Sequence, residues 1–261
     1  APLPLWFLSL ICRTLGALIP MVLPKRQALL MDNLRLAFPE ESEGSLRRTA
    51  AISRARTIEI GLFSFVFPLL SERKLKSWFS TSEPMGNAID EEGEDAVLLL
   101  VPHLCLTEAF CCLPLLAPSS KKISAIFRPL KNARFDEWLR RGRERFGMTT
   151  LSRAKGLKQA ARFLKSGEVC GMLFDQNAGY AGTRMKFLGR ECSCTTLPDI
   201  FAKRFQPKIV LAYPRRTGFW QAVLECECLA IDPQKESVAE HAHAWLEGKL
   251  RGDKEFRTNW L

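Results

Sequence analysis

Ala96-Val-Leu-Leu-Leu-Val101, running on into Pro102-His103-Leu-Cys-Leu-Thr-Glu108, decides how the rest of the chain is read. A continuous apolar run of this length, without polar alternation, predicts a strand buried on both faces, as in a parallel sheet covered by helices. The run stops at Pro102 and leaves His103 at the strand's carboxyl end. Leu106 to Leu116 then predicts a helix, with Glu108 in its first turn or two. In open α/β sheets ligands bind outside the carboxyl ends of the strands, so His103 falls in a favoured place.

Outward from this stretch, short apolar runs alternate with amphipathic ones from Asp95 onward. Ile123 to Phe127, Val169 to Phe174, Ile209 to Tyr213 and Trp220 to Ile231 read as further strands. Ala133 to Phe146, Ala154 to Lys165, Leu197 to Phe205 and Val238 to Leu250 read as helices. The alternation predicts an α/β fold, a mostly parallel sheet flanked by helices. Upstream, residues 24–80 carry helical periodicity in Leu29, Leu30, Leu34, Leu36 and Phe38 and again in Ile52, Ile58, Leu62 and Phe65, broken at Pro39 and Pro68. The expected organisation is a hydrophobic segment over 1–25, a helical layer over 26–90, an α/β core over 95–231, and a C-terminal helix and tail over 232–261.

The 261 residues, 47% of them hydrophobic, suffice for one substantial core. Lysine and arginine outnumber aspartate and glutamate by 38 to 28, which favours anionic partners such as nucleic acid, acidic headgroups or an acidic carrier protein. No long block of like charges forms a nucleic-acid arm, and no helix-turn-helix, zinc-finger or aromatic RNA-binding signature is present, so no nucleic-acid partner is expected. Nine cysteines, an odd number without zinc-ribbon spacing, predict reduced packing residues and no metal site. Leu3 to Leu23 is strongly apolar, but Pro4, Pro20 and Arg13 make it neither a clean spanning helix nor a clean signal peptide. With Trp6 and Phe7 at one end and Lys25 and Arg26 at the other, it would anchor at a bilayer, lying in the interface or crossing it. A buried core helix is the alternative.

Residues five apart do not share a face of one continuous helix, so His103 belongs before the helix that carries Glu108. From there its ring can fold back over the first turn. The Glu108 carboxylate can then accept the proton of one ring nitrogen and leave the other as a base. That is the logic of a serine-protease triad whose nucleophile comes from the substrate, and it suits transfer to a bound hydroxyl. The bare spacing fits a packed core histidine equally. His241 and His243 lie in the polar C-terminal helix and read as solvated surface residues. Arg128 follows a strand and precedes Pro129, where a guanidinium can hold a phosphate bidentately or simply face solvent. Asp175 follows another strand and should emerge at the same sheet edge as His103, unless it only builds the turn before Gly179.

Pro102-His103-Leu-Cys-Leu-Thr-Glu108 resembles the His-x4-Asp/Glu signature of glycerolipid and lipid A acyltransferases. The chain as a whole resembles the lipid A biosynthesis lauroyl/myristoyl acyltransferase family. The supporting blocks come in order: Asn33-Leu34, Phe38-Pro39, Phe127-Arg-Pro-Leu-Lys-Asn132, Arg141-Gly-Arg-Glu-Arg-Phe-Gly147, Phe174-Asp-Gln-Asn-Ala-Gly179, Phe187-Leu-Gly189 and Thr195-Thr196. The likeness runs from within the first apolar segment to within the last predicted strand. It implies a glycerolipid-acyltransferase-like fold, with an acyltransferase domain over 26–261. The implied reaction moves a fatty acyl chain from an acyl thioester, carried by acyl carrier protein, to a hydroxyl of a lipid A precursor. The implied place is the cytoplasmic face of a bacterial inner membrane. By the same resemblance His103 is the catalytic base, Glu108 its partner and Arg128 an anion-binding arginine, with Asp175, Gln176 and Gly179 in the substrate cleft. No metal and no organic cofactor is called for. The family's usual Pro-Glu, Trp and His/Arg-rich ending is only faintly echoed in Glu255 to Leu261, and Trp260 receives no role.

Phe135, Trp138, Leu139 and Phe146 form one stripe of the helix from Ala133, with Arg134, Arg140, Arg141, Arg143 and Arg145 over the remainder. This is a packed helix with a solvated face or, together with Lys203 and Arg204, a docking surface for acidic headgroups or acyl carrier protein. The family also implies an acyl channel measured by side chains at its end, for which Leu113, Leu115 and Leu116 qualify only by proximity. Two rivals stay open. One is an acyltransferase that serves another glycolipid or phospholipid with an acyl-coenzyme A donor; the other is a non-catalytic basic protein that binds lipid or nucleic acid.

Overall fold

A computed structural model describes residues 4–90, 95–152 and 156–260. Three helices come first, α1 (Leu5–Val22), α2 (Pro24–Ala37) and α3 (Glu43–Val66), followed by α4 (Glu72–Trp78), strand β1 (Phe79–Thr81) and α5 (Glu83–Asp90). Then come β2 (Val97–Val101), α6 (Leu113–Leu116), β3 (Ile123–Phe127), α7 (Ala133–Glu144), β4 (Thr149–Ser152), α8 (Leu157–Lys165) and β5 (Val169–Leu173). A hairpin of β6 (Thr183–Phe187) and β7 (Arg190–Cys194) precedes α9 (Leu197–Phe205), β8 (Lys208–Gly218), β9 (Gln221–Cys228), α10 (Val238–Gly252) and α11 (Lys254–Asn259). Leu3, and the start of the helix predicted from Ala154, lie outside the described residues.

Seven strands form one sheet in the order β1-β9-β8-β2-β5-β3-β4, while β6 and β7 pair apart from it. Every pairing in the large sheet is parallel except that of β8 with β9. Strand β2 lies inside this sheet, and all of its residues are buried. Its odd residues, Leu99 and Val101 among them, join a core with Phe63, Phe110 and Trp220. Its even residues, Leu98 and Leu100, join a second core with Leu164, Phe201 and Leu246 on the opposite face. Two covered faces are the reason the run shows no alternation.

The elements that escaped prediction are short or polar. Strand β4 buries only Leu151, and β1 falls within the expected helical layer, so neither is long enough to show a period of two. Thr-Arg-Met-Lys-Phe of β6 does alternate, with Met185 and Phe187 buried, and Leu188 and Gly189 turn the chain at φ 50° and 75°. That hairpin corrects the expectation for His243. Its imidazole is 3% exposed, edge-on to Phe174 and Phe187 at 5.3 and 5.5 Å, with Nδ1 2.7 Å from the carbonyl oxygen of Ala239. His241 is half-buried, with Nε2 3.3 Å from Glu236.

Helix α3 likewise turns another face inward than its sequence suggests. Leu46, Ala50, Glu59 and Phe63 are buried, whereas Ile52 and Phe65 are exposed. Glu59 is tolerated in the core because Arg56 and Arg216 pair with it at 3.0 and 2.7 Å and the backbone N–H of Trp220 adds a third donor. Helix α1 packs on α3 through one narrow stripe, Leu8, Cys12 and Gly16. At Gly16 the backbones come so close that a β-carbon would sit 2.8 Å from the nitrogen of Ala55, and Arg54 donates to the Gly16 carbonyl at 2.9 Å. Trp6, Leu10, Leu15, Leu18, Met21 and Val22 on its other faces are exposed. All nine cysteines are unpaired thiols, and most are buried packing residues.

Candidate active site

Parallel pairing of β2 with β5 sets Val101 beside Leu173. His103 and Asp175 each stand two residues past that pair, so the alternation of the two strands carries both side chains to one spot on the sheet's carboxyl edge. The loop behind His103 is drawn tight by Thr107, whose Oγ1 accepts from the backbone N–H of Leu104 at 3.1 Å and lies 2.7 Å from the Leu104 carbonyl. Leu106 takes a left-handed φ of 69° to start a 3₁₀ turn over Thr107–Cys112. Such a conformation costs a non-glycine residue about 1 kcal/mol and is held here by the buried leucine side chain itself.

The ring of His103 meets Asp175, with Nδ1 and Oδ1 2.5 Å apart. The backbone N–H of His103 donates to both carboxylate oxygens at 3.1 and 2.9 Å, and the indole N–H of Trp260 donates to Oδ2 at 2.8 Å. The Asp175 side chain is 1% exposed, that of His103 23%. Burial pushes the Asp175 carboxyl up, but the hydrogen bonds and charge of His103 and the donor on Trp260 more than offset it, and the group is held below its ordinary value. It is therefore an anion at neutral pH, and among the described residues Nε2 of His103 carries no hydrogen bond.

The Glu108 carboxylate does not meet the His103 ring as the spacing suggested, because it is bonded elsewhere. Arg143 donates to it from Nε at 2.5 Å and from Nη2 at 3.1 Å, and both side chains are 14% exposed. The guanidinium also lies over the Phe127 ring at 4.2 Å. Burial works against the charge on Arg143, and Glu108 more than restores it. The thiols around this pair are inert: burial raises Cys105 and Cys112 to about 12 and Cys111 well above its ordinary value, so none is a thiolate nucleophile at neutral pH.

Two spaces meet at His103, Arg143 and Gln176. One is an inner apolar cavity of about 330 Å³, reaching Ile123, Met148 and Gly171. The other is an outer cleft of about 270 Å³, which adds Arg128, Asn177 and Thr195. The inner cavity exists because Ala125 and Gly171, register neighbours on β3 and β5, put almost no side chain onto that face of the sheet. Leu113, Leu115 and Leu116 do not line it. Arg128 is exposed at the outer cleft, where nothing in the chain pairs with it among the described residues. Gly179 does not line either space; at φ 62° it turns the chain, and its carbonyl accepts from Ser193 at 2.6 Å.

The arginines of α7 divide by partner. Arg140 pairs with Glu137 and Glu144 and Arg141 with Glu137, while Arg145, the residue that follows the helix, donates to the carbonyls of Phe67 and Pro68. Arg143 belongs to the site. Sequence inspection also missed Trp260, for which the only signal was its place in a faint C-terminal echo, and the small pair Ala125 and Gly171, which no local pattern singles out.

A mostly parallel sheet with a histidine and a carboxylate at its carboxyl edge, above a cavity lined by apolar side chains, is the build of an α/β enzyme for lipid-like substrates. The chain matches the family described as bacterial lipid A biosynthesis acyltransferase over residues 1–228, and it belongs to that family. It is an O-acyltransferase of lipid A biosynthesis. No curated protein matches it.

Proposed function

We propose that this enzyme moves a fatty acyl chain from the thioester of acyl carrier protein to a hydroxyl of a lipid A precursor, with His103 as general base. The observation that carries the proposal is the place of the His103 ring: Nδ1 held by an ionised, buried Asp175, Nε2 free where an apolar cavity opens into a polar cleft. The acyl chain lies in the inner cavity and the sugar-phosphate acceptor in the outer cleft, its phosphate within reach of Arg128. With its proton on Nδ1 shared with Asp175, His103 accepts the acceptor's hydroxyl proton at Nε2 as the oxygen attacks the thioester carbonyl. The carbon–sulfur bond then breaks, and the departing thiolate takes the proton back. Glu108 serves this chemistry by holding Arg143 at the junction, where its remaining N–H groups meet the developing oxyanion.

The carrier docks at exposed cations of α7, Arg134 and Arg141. The enzyme works at the cytoplasmic face of the inner membrane, a reading supported by the apolar outer face of α1 with its exposed Arg13; α1 is long and apolar enough by composition to cross a bilayer.

The test is transfer of a radiolabelled acyl chain from the carrier thioester, and separately from acyl-coenzyme A, to a lipid A precursor and to a phospholipid acceptor. Transfer from the carrier to the lipid A precursor, reduced about 10²–10⁴-fold by His103→Ala, is the expected result. Equal transfer by His103→Ala would remove the base. A preference for coenzyme A or for the phospholipid would redirect the donor or the acceptor.

A further inference from the structure

We infer that Trp260, which lies beyond the stretch matching the family, is a positioning residue for His103 that acts through Asp175; the inference rests on His103 as the base. A carboxylate whose side chain is 1% exposed has no solvent donor, so its oxygens depend on protein N–H groups. Three of the contacts come from His103 itself, from its backbone and its ring. The fourth is the indole N–H of Trp260, 2.8 Å from Oδ2. Among the described residues it is the one donor on Asp175 that does not belong to the histidine. A carboxylate bonded solely to the group it orients can turn together with that group. The indole N–H, a donor only and carried on a rigid bicycle, supplies an independent reference for the carboxylate plane in which Oδ1 meets Nδ1.

Trp260 is itself well held. It forms an isolated antiparallel bridge with Leu104, the residue directly after the base, and the backbone N–H of Cys105 donates to the Asn259 carbonyl at 2.6 Å. Its ring stands edge-on to Phe187 at 5.7 Å. Upstream, Asp253 caps α11 by accepting from the N–H groups of Glu255 and Phe256, and Arg257 anchors the helix to Glu41 at 2.8 Å and to the Leu250 carbonyl. The C-terminal segment is thus a strap laid across the strand end that carries the base. Packing alone would ask only for a ring of this size. The placement of its polar atom on a buried carboxylate is what marks a role toward His103.

Two forms of the full chain test this. Trp260→Phe keeps an aromatic ring and loses the N–H. Benzothienylalanine at 260, introduced by stop-codon suppression, keeps the two-ring outline with sulfur in place of N–H, and so covers the case in which Trp260→Phe does not fold. The readouts are the His103 Nδ1–H resonance in ¹⁵N-histidine-labelled protein, with His241 and His243 as internal references, and kcat and KM for acyl transfer. The expected result is a displaced, faster-exchanging His103 signal with the references unmoved, and kcat about tenfold lower at nearly unchanged KM. Either a His103 signal or a kcat that stays at the unmodified value in both forms would overturn the inference. If the unmodified chain transfers no acyl group, the proposed reaction fails, and the resonance alone still decides whether Trp260 governs the His103–Asp175 contact.

Discussion

On one flank of the His103 ring stands Asp175, 1% exposed, bonded by a ring N–H, a backbone N–H and an indole. On the other, across the mouth of the apolar cavity, Glu108 at 14% exposure is occupied by the Nε and Nη2 of Arg143. The Asp175 flank is polar, closed and fixed by four different segments of chain: β2, β5, the hairpin through Phe187 and the C-terminus. The Glu108 flank is an ion pair set among apolar residues, open to the inner cavity. Both carboxylates lie close to one histidine in the fold, yet only one touches it. The comparison teaches that the signature spacing of His103 and Glu108 does not by itself make a contact: the carboxylate on the histidine is Asp175, and Glu108 is held by Arg143.

The division would break most clearly on Asp175→Asn. If Asp175 orients the base, kcat falls on the order of 10³–10⁴-fold with the fold intact, as for a triad deprived of its aspartate. A Glu108→Gln variant that lost as much while Asp175→Asn lost little would reverse the assignment. Next in size is stability on the other flank. Glu108→Ala leaves Arg143 buried without its anion and is expected to cost about 3–5 kcal/mol. Thermal unfolding should drop on the order of 10 °C, and the double variant Glu108→Gln with Arg143→Met should recover most of it. Recovery of stability without recovery of transfer would separate the structural from the chemical duty of the pair.

Smaller effects sharpen the contrast between a cavity floor and a polar wall. A β-carbon on Gly171 would lie 3.4 Å from both the Ala125 β-carbon and the Ser124 carbonyl, so Gly171→Ala fills space without forcing the strands apart. In competition between acyl thioesters of different length, it should shift preference toward the shorter chain by roughly fourfold, the worth of one methylene at about 0.8 kcal/mol. An unmoved optimum would place the acyl chain elsewhere. Smallest is the acid dependence of stability. The Asp175 carboxyl is more acidic in the fold than its ordinary 3.8, so the folded chain binds fewer protons there than the unfolded one. Its contribution is fully present above pH 3.8 and is lost as pH falls through the lowered value. Urea unfolding of the enzyme and of Asp175→Asn should differ by a constant amount at mild pH and converge in acid; parallel curves throughout would show the carboxylate to be unperturbed.

Much of this was legible along the chain, and the failures have physical causes. The strand into His103 was visible because a run buried on both faces has no alternation to confuse, and His103 had to precede the helix by helical geometry alone. Arg143 looked like one more arginine on a charged helix, since nothing local distinguishes the guanidinium that turns inward onto Glu108 from Arg140, which turns onto Glu137. His243 looked solvated because its cover, the β6–β7 hairpin, approaches from far along the chain. Gly179 looked like part of the cleft by standing in the same block as Asp175, but a turn separates the two.

By itself the sequence determined the alternation of strands and helices, the position of His103 at a strand's carboxyl end and the membership of the chain in an acyltransferase family, because periodicity and motif order are local properties. Only the tertiary structure decided which carboxylate meets His103. That depends on strand order: β5 inserts beside β2, brings Val101 and Leu173 into register and carries Asp175 to His103 across 72 residues of sequence, while Arg143 draws Glu108 away and Trp260 closes the site from the far end of the chain.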